Sequence, residues 1–295
     1  MTRREAQDDT EKSLYRMKAG PYEDVARELA GTPFGAIEYV EETESTNADA
    51  AERLDDARFG GLTIVAEYQS RGAGRKGRAW VAPAGTALLF STILPRAIES
   101  RTLWLVPFWV ALAVRAALTE CGVEATLQWP NDLFLSERKL AGILCRSSVI
   151  GATARVACGV GINVRRPGAD AGVDPPPAFC DEVASVERPA LLRAILREYQ
   201  RSLPSLDDPD RVAKAWDAAA GLPGKRYRIQ VDGENEPFEA VAESLATGGG
   251  LRVTRDNGEQ EIVALADARV LRFFRPSSFV LRPSTTLRMT RKDDT

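Results

Sequence analysis

The chain has 295 residues, 44% of them hydrophobic and 27% charged, with a formal net charge of −3; there is room for a large domain plus a small one around a real core, and a wholly basic nucleic-acid binder is excluded. It contains no histidine, which removes His-based triads, His general bases and His metal ligands. Its cysteines, Cys121, Cys145, Cys158 and Cys180, form no C-x-x-C pair, so reduced structural thiols are expected rather than a zinc or redox motif.

Residues 1–30 are charged and helix-prone, with no apolar stretch for a signal peptide, and are expected to form a polar N-terminal tail or short helix. A helix-turn-helix DNA reader would need roughly twice this length and a basic face. From Thr32 the pattern is denser. Strands are predicted over 36–40 and 62–68, with a helix after Ser45-Thr46-Asn47 whose hydroxyls supply a cap. A strand over 87–94 follows, then a long apolar helix over 103–121. The longest apolar run, Leu103 to Val114, is short for a bilayer span and suits a buried helix. The expected setting is therefore cytoplasmic. Strands are predicted over 124–129, 133–135, 139–146 and 155–164, with Trp-Pro-Asn-Asp as a rigid turn. Residues 165–180, rich in Pro and Gly, form a loop. Helical patterns follow over 188–202 and 209–220. Beyond Gly221-Leu222-Pro223-Gly224, short strands over 226–232, 238–246, 251–254 and 260–264 suggest a small antiparallel barrel, assigned to 221–274. The last stretch, 275–295, carries the echoes RPSSFVL and RPSTTLR and is expected to be a disordered tail.

Three stretches carry candidate chemistry. In QSRGAGRKGRAW (69–80), Gly72, Gly74 and Gly77 let backbone approach a ligand, and Arg75, Lys76 and Arg78 suit a polyanion such as a nucleotide phosphate. A solvated basic loop fits equally well, and neither a Walker A loop nor a Rossmann fingerprint is present. The segment 127–144 puts an amide (Asn131), a carboxylate (Asp132) and an ammonium (Lys139) on one hairpin; an ordinary turn with a surface lysine is the plainer reading. GVGIN (159–163) interrupts a strand with glycines, which marks close approach of a ligand or a simple bulge.

Taken together, E-S-T-N (44–47), A-E-Y-Q (66–69) with G-x-G-R-x-G-R-x-W (72–80), W-P-N-D (129–132), R-K-L-A-G-I-L (138–144) and G-x-G-I-N (159–163) resemble the biotin protein ligases, of the monofunctional type without a DNA-binding domain. The similarity runs over about 36–273. It implies an α/β (α+β) fold: a class II synthetase-like mixed sheet with helices packed on one face, a catalytic domain over 31–220, and an SH3-like barrel behind it. It also implies the two-step reaction in which biotin and MgATP give biotinyl-5′-AMP, and the biotin passes to a lysine of a biotin carboxyl carrier protein, usually that of acetyl-CoA carboxylase. Biotin's carboxylate is ionised at neutral pH, so the first step needs alignment and charge neutralisation rather than a base. The lack of histidine is no obstacle.

By position, the resemblance implies catalytic roles for Arg75, Arg78, Lys139 and Asp132. It implies biotin contacts from Ser45, Thr46, Asn47, Gln69, Gly72, Ala73, Gly74, Arg75, Lys139 and Gly142. It implies ATP contacts from Arg75, Arg78, Trp80, Asn131, Lys139 and Asn163, with Mg²⁺ accompanying the nucleotide through no named ligand. The 69–80 loop would order on ligand binding, and the 165–177 loop would cover the adenylate. Two positions depart from the family's pattern. Ala73 stands where an arginine is usual, with Arg71 two residues earlier as a partial substitute, and Gln128 stands where a lysine is usual. A lipoate ligase or transferase is the neighbouring alternative, and a biotin-binding regulator without ligase activity is the alternative of a different class. No DNA or membrane partner is expected, and a monomer and a homodimer are both compatible.

Overall fold

The structure, a computed structural model, describes residues 18–168, 176–265 and 268–274. Two sheets organise it. The larger has eight strands: β1 (Ile37–Thr43), β2 (Thr63–Gln69), β3 (Ala87–Ile93), β4 (Ile98–Glu99), β5 (Thr126–Gln128), β6 (Asp132–Leu135), β7 (Arg138–Ile150) and β8 (Thr153–Asn163). Their order is β1-β2-β3-β8-β7-β6-β5, with β4 beside the end of β8. Only β1 and β2 pair in parallel, Ile37 opposite Thr63; the other pairs are antiparallel.

Side chains alternate across this sheet, as the period of a strand requires. Val65, Phe90, Val156 and Val160 face the main core, where α3 (Val106–Glu120), α4 (Arg188–Ser202) and α5 (Pro209–Ala220) pack. Ile64, Ile93 and Ala157 face the other way and meet Ala50 and Leu54 at α2 (Thr46–Ala51). The expectation of helices on one face is thus corrected. α2 takes the opposite face, because its first residues must reach the cleft that opens there.

The two long helices after the loop are bounded by local chemistry. Asp208 Oδ1 accepts the Arg211 N–H at 3.0 Å, Pro209 opens α5, and Gly221 ends it at φ 74°. α4 buries Leu191, Leu192, Ile195, Leu196 and Tyr199, a stripe at helical spacing. Tyr199 stacks on Trp109 at 4.8 Å, and Phe108 meets Trp216 edge-on at 5.3 Å. With the 3-10 turn before α3, Ser100–Glu120 is apolar and long enough by length to cross a bilayer, longer than the sequence run suggested. Burial of Phe108, Trp109, Val110 and Val114 in the core makes it the central helix of the fold.

Residues 18–30, expected as part of a polar tail, are packed. Tyr22, Val25 and Leu29 fall on one side of α1 (Glu23–Glu28) and its flanks and are buried, while Glu28 pairs with Arg193 on α4 at 3.0 Å. Residues 1–17, most of the expected 165–177 flap (169–175) and the expected tail 275–295 lie outside the described residues.

The second sheet is antiparallel and runs β12-β11-β10-β9-β13. Its strands are β9 (Lys225–Val231), β10 (Phe238–Leu245), β11 (Leu251–Arg255), β12 (Gln260–Val263) and β13 (Ala268–Phe274). The four predicted strands are present. β13 completes the sheet against β9, far back along the chain, which local periodicity does not reveal. The sheet shares the main core through Tyr227, Ile229 and Val253. Polar ties join it to the rest of the fold: Trp129 Nε1 donates to the Gly249 carbonyl at 3.0 Å, Lys225 Nζ to the Leu127 carbonyl at 2.8 Å, and the Leu245 N–H to Asp217 Oδ1 on α5 at 2.8 Å.

Candidate active site

A cleft of about 760 Å³ lies on the α2 face of the larger sheet, bounded by the 72–80 loop and touched by Val270 and Leu271 of the second sheet. One end is a buried polar corner. Ser45 is extended (φ −167°) and its hydroxyl does not cap α2, contrary to expectation. Gln69 Oε1 does that work instead, accepting the Thr46 N–H at 2.8 Å and the Thr46 hydroxyl at 3.0 Å. Thr46 Oγ1 also shares a 2.9 Å hydrogen bond with Ser91 Oγ. Asn47 Nδ2 donates to the Leu144 carbonyl at 2.6 Å, and this orients the amide so that Oδ1 is left buried with no protein partner. An unmet acceptor here costs about 1–3 kcal/mol until a donor arrives.

The centre of the cleft explains the glycines in the strands. Gly142 on β7 and Gly161 on β8 are register partners, and the Trp80 indole lies over both. A Cβ at Gly161 would stand 2.6 Å from Trp80 Cε2, and one at Gly142 would stand 3.1 Å from Trp80 Cζ3. A Cβ at Gly159 would stand 2.4 Å from Asn47 Nδ2. The close approach marked by GVGIN is therefore by side chains. Trp80 Nε1 is itself buried without a partner. Lys139 Nζ lies 5.6 Å from the Trp80 ring centre and 2.8 Å from Asp132 Oδ1, so ammonium, carboxylate and indole meet at one point.

The loop is a tight hairpin rather than free coil. The Trp80 N–H donates to the Gly72 carbonyl at 2.8 Å and the Gly74 N–H to the Arg78 carbonyl at 2.7 Å. Gly72 does not line the cleft; it makes room, since a Cβ there would lie 2.4 Å from Trp80 O. Lys76, at the tip, takes a left-handed φ of 55°. Arg75 lines the cleft and donates through Nη2 to the Leu265 carbonyl; burial pulls its guanidinium pKa below the ordinary value. Arg78 is exposed at the rim.

Every other residue predicted to contact a ligand lines this cleft: Ser45, Thr46, Asn47, Gln69, Ala73, Gly74, Arg75, Arg78, Trp80, Asn131, Asp132, Lys139, Gly142 and Asn163. Asn131 and Asn163, like Thr46, Asn47 and Gln69, also have structural duties. Asn131 Nδ2 donates to the Ile143 carbonyl at 2.6 Å, pinning the turn to β7, and Asn163 Nδ2 reaches the Lys139 carbonyl at 3.4 Å. Arg71 does not stand in for the arginine lacking at Ala73: it is exposed and pairs with Glu44 at 3.3 Å, outside the cleft. Gln128 is buried on the cleft face with neither amide atom partnered. Sequence reasoning missed Ser91, Phe134, Val270 and Leu271 as lining residues. Ser91 had a signal, a hydroxyl inside the apolar run ALLFSTI; the other three had none.

Comparison with known proteins follows the same lines. The model of the biotin/lipoate A/B protein ligase family matches residues 39–163. A biotin–[acetyl-CoA-carboxylase] ligase of Paracoccus denitrificans is 33% identical over 236 residues, covering 75% of this chain and 95% of the relative. A protein of the same name from Mycobacterium tuberculosis is 28% identical over 247 residues, covering 80% and 89%. Among solved structures, the biotin protein ligase from Aquifex aeolicus in complex with biotin and ATP superposes with a TM-score of 0.65 at 20% identity, covering 80% of this chain and 98% of that one, a likeness of fold.

Proposed function

This chain belongs to the biotin–[acetyl-CoA-carboxylase] ligases, within the biotin/lipoate A/B protein ligase family, and from that premise we propose how its cleft works. The biotin carboxylate attacks the α-phosphorus of ATP, pyrophosphate leaves, and biotinyl-5′-AMP forms. The amine of a carrier-protein lysine then attacks the acyl carbon, releasing AMP and a proton. The carrier is the biotin carboxyl carrier protein of acetyl-CoA carboxylase or a related carboxylase.

The observation that carries this reading is the distribution of polarity along the cleft. A buried, unpartnered acceptor (Asn47 Oδ1) stands at one end, and Lys139, Arg75 and Arg78 supply cations at its centre and rim. The acceptor suits an N–H of the biotin ureido group. Ser45, Thr46 and Gln69 form the rest of that corner, with Gln69 Oε1 already committed to Thr46. Lys139 bridges the carboxylate and the α-phosphate, and Arg75 and Arg78 hold phosphate oxygens. Trp80 packs against the adenylate, and its indole N–H gains a partner there. Such fixed charges stabilise the developing negative charge without reorganising. Asp132, 2.8 Å from Lys139 Nζ, holds that ammonium and receives the incoming amine.

Among the described residues no group of three His, Cys, Asp or Glu side chains could hold a metal. Mg²⁺ enters with the nucleotide as MgATP, held chiefly by the phosphates, the usual habit of this cation. As parts of the same proposal, the protein works in the cytoplasm as a monomer or homodimer, without DNA or membrane. The test is ATP–pyrophosphate exchange with no acceptor present. Exchange should require biotin, fail with lipoate, and fall at least about 100-fold in Arg75→Ala. Exchange supported by lipoate and not by biotin would move the reading to lipoate.

A further inference from the structure

The tip of the 72–80 hairpin touches the second sheet at two points. Arg75 Nη2 donates to the Leu265 carbonyl between β12 and β13, and Lys76 Nζ lies 2.6 Å from Asp232 Oδ2, on the turn leaving β9. Lys76 and Asp232 are separated by 156 positions in sequence, so the contact exists only through the tertiary fold. Lys76 is left-handed and followed by Gly77 at φ 71°, so its ammonium is presented outward from a bent tip. The second sheet also grips the far side of the cleft. The Leu265 side chain packs at Gly249, whose carbonyl accepts the Trp129 indole N–H just before Asn131 and Asp132. The connections between strands of the second sheet thus contact both walls of the cleft, the cationic loop and the Trp-Pro-Asn-Asp turn.

We infer that Asp232 is a positioning residue for the adenylation site: by holding Lys76 it fixes the hairpin tip, and with it Arg75, over the bound carboxylate and phosphates. This rests on the function proposed above. Asp232 touches no substrate. Its carboxylate acts through Lys76, so its loss leaves the chemistry intact and loosens the lid over the adenylate. An exposed ion pair is modest and screened by salt. The expected effect is therefore a small factor that vanishes at high ionic strength.

Three proteins are compared: wild type, Asp232→Asn and Asp232→Lys. Release of biotinyl-5′-AMP into solution should quicken about threefold in Asp232→Asn and about tenfold in Asp232→Lys, with kcat for pyrophosphate exchange changed less than about twofold. About 0.5 M salt should erase the differences. Release unchanged in both variants, or differences from wild type that persist at about 0.5 M salt, overturns the proposal. A readout free of biotin separates this from failure of the ligase reading. With no substrate added, trypsin should cut between 71 and 78 several-fold faster in Asp232→Asn than in wild type. Equal cutting overturns the latch whatever the enzyme's activity.

Discussion

Gly161 stands under an indole. Its φ is not left-handed, so the backbone would accept any residue; what forbids a side chain is the 2.6 Å that would separate a Cβ from Trp80 Cε2. The Trp80 backbone N–H is tied to the Gly72 carbonyl, which fixes where the indole starts from. Gly161→Ala should therefore displace the indole and lower biotin-dependent pyrophosphate exchange by more than about tenfold, with a stability loss of about 1–3 kcal/mol. A shift in tryptophan fluorescence would accompany it. Exchange unchanged in Gly161→Ala would mean the Trp80 platform does not carry the site. The sequence marks these glycines as unusual, but only the register of β7 on β8 shows that Gly142 and Gly161 form one floor.

Among the elements, the start of β7 is tied to the segments around the 165–177 stretch through one carboxylate. Glu182 takes the Phe179 N–H at 3.0 Å, Arg166 Nη2 lies 3.1 Å from its Oε1, and it pairs closely with Arg138, which also donates to the Pro177 carbonyl at 3.0 Å. Burial by itself would raise the Glu182 pKa; the hydrogen bonds from Arg138, Arg166 and Phe179 together outweigh it and hold the carboxyl below its ordinary value. A depressed carboxylate pKa means that the unfolded chain binds the proton more readily. The stabilisation is present above the ordinary carboxylate pKa and is lost as pH falls through the folded value. Glu182→Gln should cost about 1–2 kcal/mol at pH 7, and the gap from wild type should close below about pH 4. Melting curves from pH 3 to 8 would check it; a gap constant with pH would assign the loss to packing rather than charge. At this scale the helix bounds were legible. Pro189, Asp208, Pro209 and Gly221 act within a few residues of the ends they set. The cap of α2 was not, because its acceptor is Gln69 on another strand, 23 positions away.

For the whole molecule, the second sheet is part of the first one's core. Tyr227, Ile229 and Val253 join the cluster that holds Phe108, Trp109 and Trp216, and Trp129 hydrogen-bonds across to Gly249. Two sheets that share buried surface should melt together. Far-UV circular dichroism, near-UV circular dichroism and calorimetry should report one transition, with calorimetric and van't Hoff enthalpies equal. Separate transitions would show that the second sheet folds as an independent unit.

The sequence by itself determined the chemistry available. Without histidine the cleft had to work through fixed cations, amides, hydroxyls and carboxylates, and the motifs containing Arg75, Asp132 and Lys139 identified the family because each is a contiguous run whose spacing survives in the linear chain. It also determined the elements whose signals are local: apolar periodicity in α4 and the caps of α5. Only the tertiary structure decided which face α2 takes, what lies on the strand glycines, that Arg71 turns away to Glu44, that β13 closes the second sheet, and that Asp232 meets Lys76. Each of these depends on pairing between residues distant in sequence. Such contacts form only after the loops between them close, and no window of neighbouring residues contains their energy.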